Sequence, residues 1–325
     1  MAEISIESVK ASLSLSDTDI EPLAEDASTR RYYRIKAHNR ETCVLMVDDG
    51  SHQSNLTRTE WLQIRSFLEI QNIRVPRLIA NHCEFSSLII EDFGNTTLQQ
   101  SFKENPKAGI KLYNKTIPIL VRYLSLEGNS ELWTQRGFDE AKLYNELLFL
   151  YEHFLNPEKI IHASELPTFQ TEAKHLARYL SKFSRFFTHR DFHSRNLMVI
   201  DGNLGVIDFQ DARLGPPAYD LVSLFFDSYA PLKQMTRLEF VRKAIREVAK
   251  FRPDTAQIID ETWQATLLQR QLKAIGSFGY LTKEGKGNYL INLKPAVRTL
   301  IDNCGQLEWN FLCTELIGRL SEYQQ

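Results

Sequence analysis

The chain has 325 residues, 43% hydrophobic and 25% charged, with a formal net charge of -2. That size fits one large or two modest globular domains, and the near-neutral balance with no dense basic run points away from a polyelectrolyte partner such as nucleic acid. No apolar run reaches the length of a membrane span, and Met1-Ala2-Glu3-Ile4 lacks the basic start and apolar core of a secretory signal. Cys43, Cys83, Cys304 and Cys313 show no metal or disulfide spacing, so a cytoplasmic protein is expected.

Residues 1 to about 20 are expected to form a small helix. The polar stretch Asp26-Ala27-Ser28-Thr29-Arg30-Arg31 follows. Its small residues allow backbone N–H groups to approach a phosphate, and Ser28 and Thr29 add hydroxyl donors, although an ordinary polar turn reads the same way. Alternating patterns predict a strand over Tyr32–Ala37, a turn at His38-Asn39 and a partner strand over Thr42–Val47. Leu56, Trp61, Ile64, Phe67 and Leu68 recur at helical spacing, with Glu60 on the same helix. Leu78-Ile79 and Leu88-Ile89-Ile90 complete a small sheet.

Asp92-Phe93-Gly94 spells a kinase metal motif but lies about a hundred residues ahead of the catalytic stretch. It reads instead as a connector, Glu91 to Gly94, whose backbone would meet an adenine edge at Glu91 and Phe93. Mostly helical patterns fill 105–186. Next comes Thr188-His189-Arg190-Asp191-Phe192-His193-Ser194-Arg195-Asn196, a strand at Leu197-Met198-Val199-Ile200, a turn at Asp201-Gly202-Asn203, a returning strand, and Ile207-Asp208-Phe209. Phosphoryl transfer from ATP needs a carboxylate to orient the attacking hydroxyl, and an amide and a second carboxylate to hold magnesium on the phosphates. Asp191 takes the first role; Asn196 and Asp208, at the two ends of the hairpin, take the second. His189 is expected to support the loop. Helices return at 219–229, 236–251, 254–275 and 294–323. The expected plan is α+β and protein-kinase-like: a small β-rich lobe over 1–92 for the nucleotide, and a larger helical lobe over 93–325 for catalysis, metal and substrate.

The motif order, His193 two positions after Asp191, and Pro216-Pro217-Ala218-Tyr219-Asp220-Leu221 together resemble the aminoglycoside phosphotransferase family of the protein-kinase-like superfamily. The resemblance implies that Asp220 steadies the catalytic loop; a helix N-cap is the plainer alternative. Asp26 to Arg34, Glu91 to Gly94, His189 to Leu224 and Leu268 to Gly276 are similar to bacterial N-acetylmuramate/N-acetylglucosamine anomeric kinases. That likeness implies ATP and Mg2+ as cofactors and a small-molecule acceptor, an amino sugar of the cell wall. Other acceptors (an aminoglycoside, choline, a homoserine-like alcohol) and a nucleotide-binding pseudokinase are the alternatives.

Two departures bear on the site. There is no Gly-rich loop, and the strand Thr42–Val47 lacks the lysine that kinases place on the phosphates. Arg30, Arg31 or Arg34 could substitute, with Arg31 preferred as the partner of phosphate or of Glu60. Arg195 and Asp211 are candidates for touching the substrate, Arg195 through a carboxylate such as a lactyl group.

Overall fold

A computed structural model describes residues 20–23, 31–36, 42–48, 52–82, 87–128, 132–230, 232–304 and 307–322. The expected first helix, Ser28, Thr29 and Arg30 lie outside them. The chain forms two compact units, Met1–Thr96 with Leu197–Gln210, and Thr97–Asn196 with Asp211–Gln325.

The first unit holds an antiparallel sheet of β1 (Ile20–Pro22), β2 (Arg31–Lys36), β3 (Thr42–Val47), β4 (Leu78–His82) and β5 (Ser87–Glu91), in the order β1-β2-β3-β5-β4. Alternation sorts the side chains. Ile35, Leu45 and Val47 share one apolar cluster with Ile20, Tyr33, Cys43 and Ile89, while their neighbours Val44, Met46, Leu88 and Ile90 are buried as well. Helix α1 (His52–Ile70) buries Trp61, Ile64 and Leu68, and Trp61 meets Phe209 at 5.4 Å between ring centres.

The hairpin Leu197–Ile200/Asn203–Val206 turns through Asp201 and Gly202, both at positive φ (49° and 71°), as a tight two-residue turn requires. It lies in the first unit, whereas the sequence reading groups it with the residues from 93 onward. Backbone bonds explain this. Val199 N–H donates to the Thr96 carbonyl and Val206 N–H to the Arg74 carbonyl, each at 2.8 Å. Gly205 has room for no Cβ, which would lie 2.5 Å from the Phe93 ring.

The second unit is mostly helical: α2 (Leu98–Glu104), α3 (Pro106–Tyr123), α4 (Glu140–Leu150), α5 (Leu166–Ser181), α6 (Tyr219–Phe225), α7 (Gln234–Ala249), α8 (Pro253–Lys283), α9 (Leu293–Asn303) and α10 (Ile317–Glu322). A short pair, Phe186–Thr188 with Arg213–Gly215, brackets the catalytic stretch. Three helices differ from expectation. α6 stops at Phe225, because the Asp227 carboxylate accepts from Tyr229 N–H and bends the chain. α8 continues to Lys283, and the expected 294–323 helix ends at Asn303, just before Gly305 in the sequence. Among the described residues no helix is long and apolar enough to cross a membrane.

Candidate active site

The catalytic stretch follows the strand Phe186–Thr188 and carries buried backbone N–H groups that need acceptors. Two later carboxylates supply them. Asp220 accepts from His189 N–H at 2.7 Å and from Arg190 N–H at 3.1 Å. It sits one residue inside α6, whose N-cap is Ala218, so the capping alternative does not hold. Burial, opposed by those donors, pushes the Asp220 carboxyl up to about 7. Asp227 accepts from Ser194 N–H at 2.9 Å and from the Ser194 hydroxyl. Inside the loop the Asp191 carbonyl takes His193 N–H and the Asn196 amide N–H, both at 3.0 Å. Arg190 is thereby held at φ 82°, a conformation that a non-glycine residue keeps only when its surroundings impose it. The His189 ring is fully buried between Tyr123 and Phe192.

Asp191 keeps 24% of its side chain exposed. Lys273 of α8 reaches its Oδ1 at 3.2 Å, and Arg190 Nε lies 4.0 Å from Oδ2. Burial alone would raise this carboxyl, but Lys273, Arg190 and Arg270 hold it well below the usual carboxylate range. It is therefore anionic at neutral pH, the state in which a carboxylate can accept a hydrogen bond from a hydroxyl. His193 is the reverse case. Burial pushes its imidazole down to about 3 although Asp191 is near, so the ring is neutral and packs edge-on to Tyr229.

The substrate candidates also lie in this unit. Asp211, about half exposed, pairs with Arg190 at 3.3 Å and with Arg213 at 3.5 Å. The Arg195 guanidinium lies over the rings of Tyr229 and Tyr289, at 4.8 and 5.8 Å. Lys273, Asp227 and the buried Glu146, which accepts from Gln269 at 3.0 Å, escape the sequence reading. The contacts that tie them to Ser194, Asp191 and Gln269 span 33 to 123 positions, and no local spacing marks them.

In the first unit, Asp208 has φ 62° and accepts from Gln210 at 2.7 Å. A hard divalent cation takes oxygen donors, of which Asn196 carries an amide oxygen in the second unit and Asp208 a carboxylate in the first. Among the described residues there is no group of three or more His, Cys, Asp or Glu side chains that could hold a metal.

The connector's Asp92 forms a two-point pair with Arg34, at 2.6 and 3.0 Å, and accepts from Gly94 N–H. Burial would raise the Asp92 carboxyl; Arg34 and Thr42 bring it below the ordinary value. Arg34 is thus committed to the connector, and Arg31 stands opposite Val47 at the start of β2. Glu60 is half-buried on α1. Glu91 is held at the end of β5. Its N–H donates to the Arg77 carbonyl, and its carboxylate binds Arg74 at 2.5 Å and Arg77 at 3.3 Å. Phe93 is buried beneath the Arg74 guanidinium, 4.8 Å from the ring centre.

Residues 19–253 match the phosphotransferase enzyme family. The chain belongs to that family. It is an ATP-dependent phosphotransferase of kinase-like fold, and works on a small molecule with a nucleotide and a divalent metal. It is 27% identical to the N-acetylmuramate/N-acetylglucosamine kinase of Pseudomonas aeruginosa over 276 residues, covering 83% of this chain and 79% of that one. The kinase of the same name from Neisseria meningitidis serogroup B is 26% identical over 84% of this chain and 82% of its own. Among solved structures, the ADP-bound aminoglycoside phosphotransferase APH(2'')-Ib superposes with a TM-score of 0.61 at 18% identity, over 90% of this chain and 95% of that one. Choline kinase LicA from Streptococcus pneumoniae gives 0.62 at 15% identity, over 90% and 96%. The motifs read from the phosphotransferase's sequence thus agree with its family and its fold.

Proposed function

We propose that the protein moves the γ-phosphoryl group of ATP, with Mg2+, onto the anomeric hydroxyl of N-acetylmuramate or N-acetylglucosamine. The observation that carries the chemistry is Asp191. It is an anionic, partly exposed carboxylate on a loop fastened by Asp220 and Asp227. The likeness to curated amino-sugar kinases over more than four-fifths of the chain supports the acceptor. The resulting product would be a sugar 1-phosphate of cell-wall recycling.

In this reading Asp191 orients the acceptor hydroxyl and takes its proton as the bond to phosphorus forms. Asn196 and Asp208 supply oxygen ligands to the magnesium ion, an assignment resting on motif order and donor chemistry. The ion would neutralise phosphate charge and hold the γ-phosphate for in-line attack. Arg31 takes the phosphate-pairing task of the absent lysine, with Glu60 to orient it; Ser28 and Thr29 remain candidates for the phosphate loop. The Glu91 N–H is committed, so the adenine edge would meet the carbonyl at Glu91 and the backbone at Phe93. His189 and Asp220 act only through the loop they hold. Positioning and charge supply most of the acceleration.

The test is Mg2+-dependent ADP release with N-acetylmuramate, N-acetylglucosamine, kanamycin and choline. Turnover confined to the amino sugars is expected. Asp191→Asn should lower kcat by about 10²–10⁴-fold with ATP binding retained. Full activity of that variant removes Asp191 from its role. Turnover of choline or kanamycin alone would move the acceptor class and leave the mechanism.

A further inference from the structure

The surroundings of Asp191 are cationic. Lys142, Arg190, Arg213, Arg270 and Lys273 face one another across the same few residues, against the carboxylates Glu146, Asp191 and Asp211. The neighbouring Asp220 is pushed toward neutrality by burial. The arginines have their own partners: Arg190 is spread over Glu146, Asp191 and Asp211, Arg213 leans on Asp211, and Arg270 donates to the Ser223 hydroxyl at 2.9 Å. Lys273 differs. Its side chain is 13% exposed, and its ammonium reaches the one carboxylate that the reaction also needs. A site for a cationic acceptor such as choline should be acidic or aromatic, and this one carries the opposite charge.

We infer that Lys273 is an acceptor-specificity residue: its ammonium, which α8 places 3.2 Å from the Asp191 carboxylate, takes the carboxylate of an anionic sugar acceptor while Asp191 takes the hydroxyl. The inference rests on the amino-sugar reading above. N-acetylmuramate carries a lactyl carboxylate on the ring that bears its anomeric hydroxyl; N-acetylglucosamine has only a hydroxyl there. An acceptor carboxylate supplies the negative charge that the cluster lacks. The long, flexible lysine stem lets the ammonium serve it without moving α8. A charge-assisted contact of this kind discriminates by roughly 10–100-fold.

The experiment is steady-state kinetics of wild type and Lys273→Met on both sugars at saturating Mg2+ and ATP. Methionine keeps most of the stem's volume and removes the charge. The ratio of kcat/KM for N-acetylmuramate over N-acetylglucosamine should fall by about 10–100-fold, mainly through KM. An unchanged ratio, with both sugars slowed alike, places Lys273 on Asp191 or on the transferred phosphoryl group and overturns the inference. The methyl ester of N-acetylmuramate, tried on wild type, does not depend on the variant folding. It should lose a similar factor against the free acid, and equal turnover of acid and ester also overturns the inference. Wild-type silence on both sugars is a separate result, which removes the amino-sugar reading and this inference together.

Discussion

At the scale of single residues, the catalytic loop is a problem of buried donors. Ser194 is fully buried, and both its N–H and its hydroxyl end on Asp227, which also takes Tyr229 N–H. Removing an acceptor strands the donors out of water, which costs about 1–3 kcal/mol for each orphaned group. Asp227→Ala should therefore lower the urea midpoint clearly and reduce kcat more than it changes the KM for ATP. Asp227→Asn, which keeps one acceptor oxygen, should fall between. An Asp227→Ala midpoint equal to wild type would show that the loop does not depend on this anchor. Such anchors mark the limit of what the sequence discloses. Asp191, Asn196 and Asp208 stand out because a loop and a hairpin put them at fixed short spacings. Asp227 and Lys273 act on the same loop across 33 and 82 positions, where only the folded chain supplies the adjacency.

At the scale of elements, α8 presents Arg270 and Lys273 and must lie close against the end of α4 and the turn Tyr151–Leu155 that follows it. Gly276 and Gly279 permit that approach. A Cβ at Gly276 would stand 2.7 Å from Leu150 Cα, and one at Gly279 would stand 2.5 Å from the His153 carbonyl oxygen. Alanine favours a helix over glycine by about 1 kcal/mol, but here it meets backbone that cannot rotate aside. Gly276→Ala should destabilise by about 1–3 kcal/mol net of propensity and slow turnover by displacing Lys273. An unfolding midpoint higher than wild type would mean that α8 has slack at this point. In the first unit the equivalent fastening is Arg34 to Asp92, whose side chains are 14% and 3% exposed. Asp92→Ala would strip a part-buried guanidinium of its two-point partner and leave only the more distant charge of Glu21, at a cost of about 1–3 kcal/mol by thermal or urea unfolding. Only a marginal change would show that water already reaches Arg34. The β2–β3 pairing and the tight turn at Asp201-Gly202 are legible from alternation and turn chemistry. The Arg34 partnership is not, because strand patterns tell which face a residue takes and not which charge awaits it.

At the scale of the whole molecule, the kinase-like α+β plan is legible because its signals are local: alternating strands early, helical periods later, and one hairpin motif between. Stability against pH has no such local signal, since it sums groups that only folding buries. Two of them oppose each other. His193, pushed down to about 3, binds fewer protons folded than unfolded between pH 3 and its ordinary value near 6.5, so its contribution is present above that range and is lost as pH falls. Asp220, pushed up to about 7, binds more protons folded than unfolded between its ordinary value near 4 and pH 7, so its contribution is present below that range and is lost as pH rises. From about pH 4 to 6.5 the two slopes, each at most about 1.4 kcal/mol per pH unit, cancel. Single substitutions should unmask them with opposite signs. Relative to wild type, His193→Gln should lose stability as pH rises from 4.5 to 7, because only the Asp220 slope remains. Asp220→Asn should gain stability over the same interval, because only the His193 slope remains. Urea unfolding of all three proteins at several pH values measures both differences. Three parallel curves would mean that neither group titrates as its burial dictates, and that water reaches the catalytic loop in the folded protein.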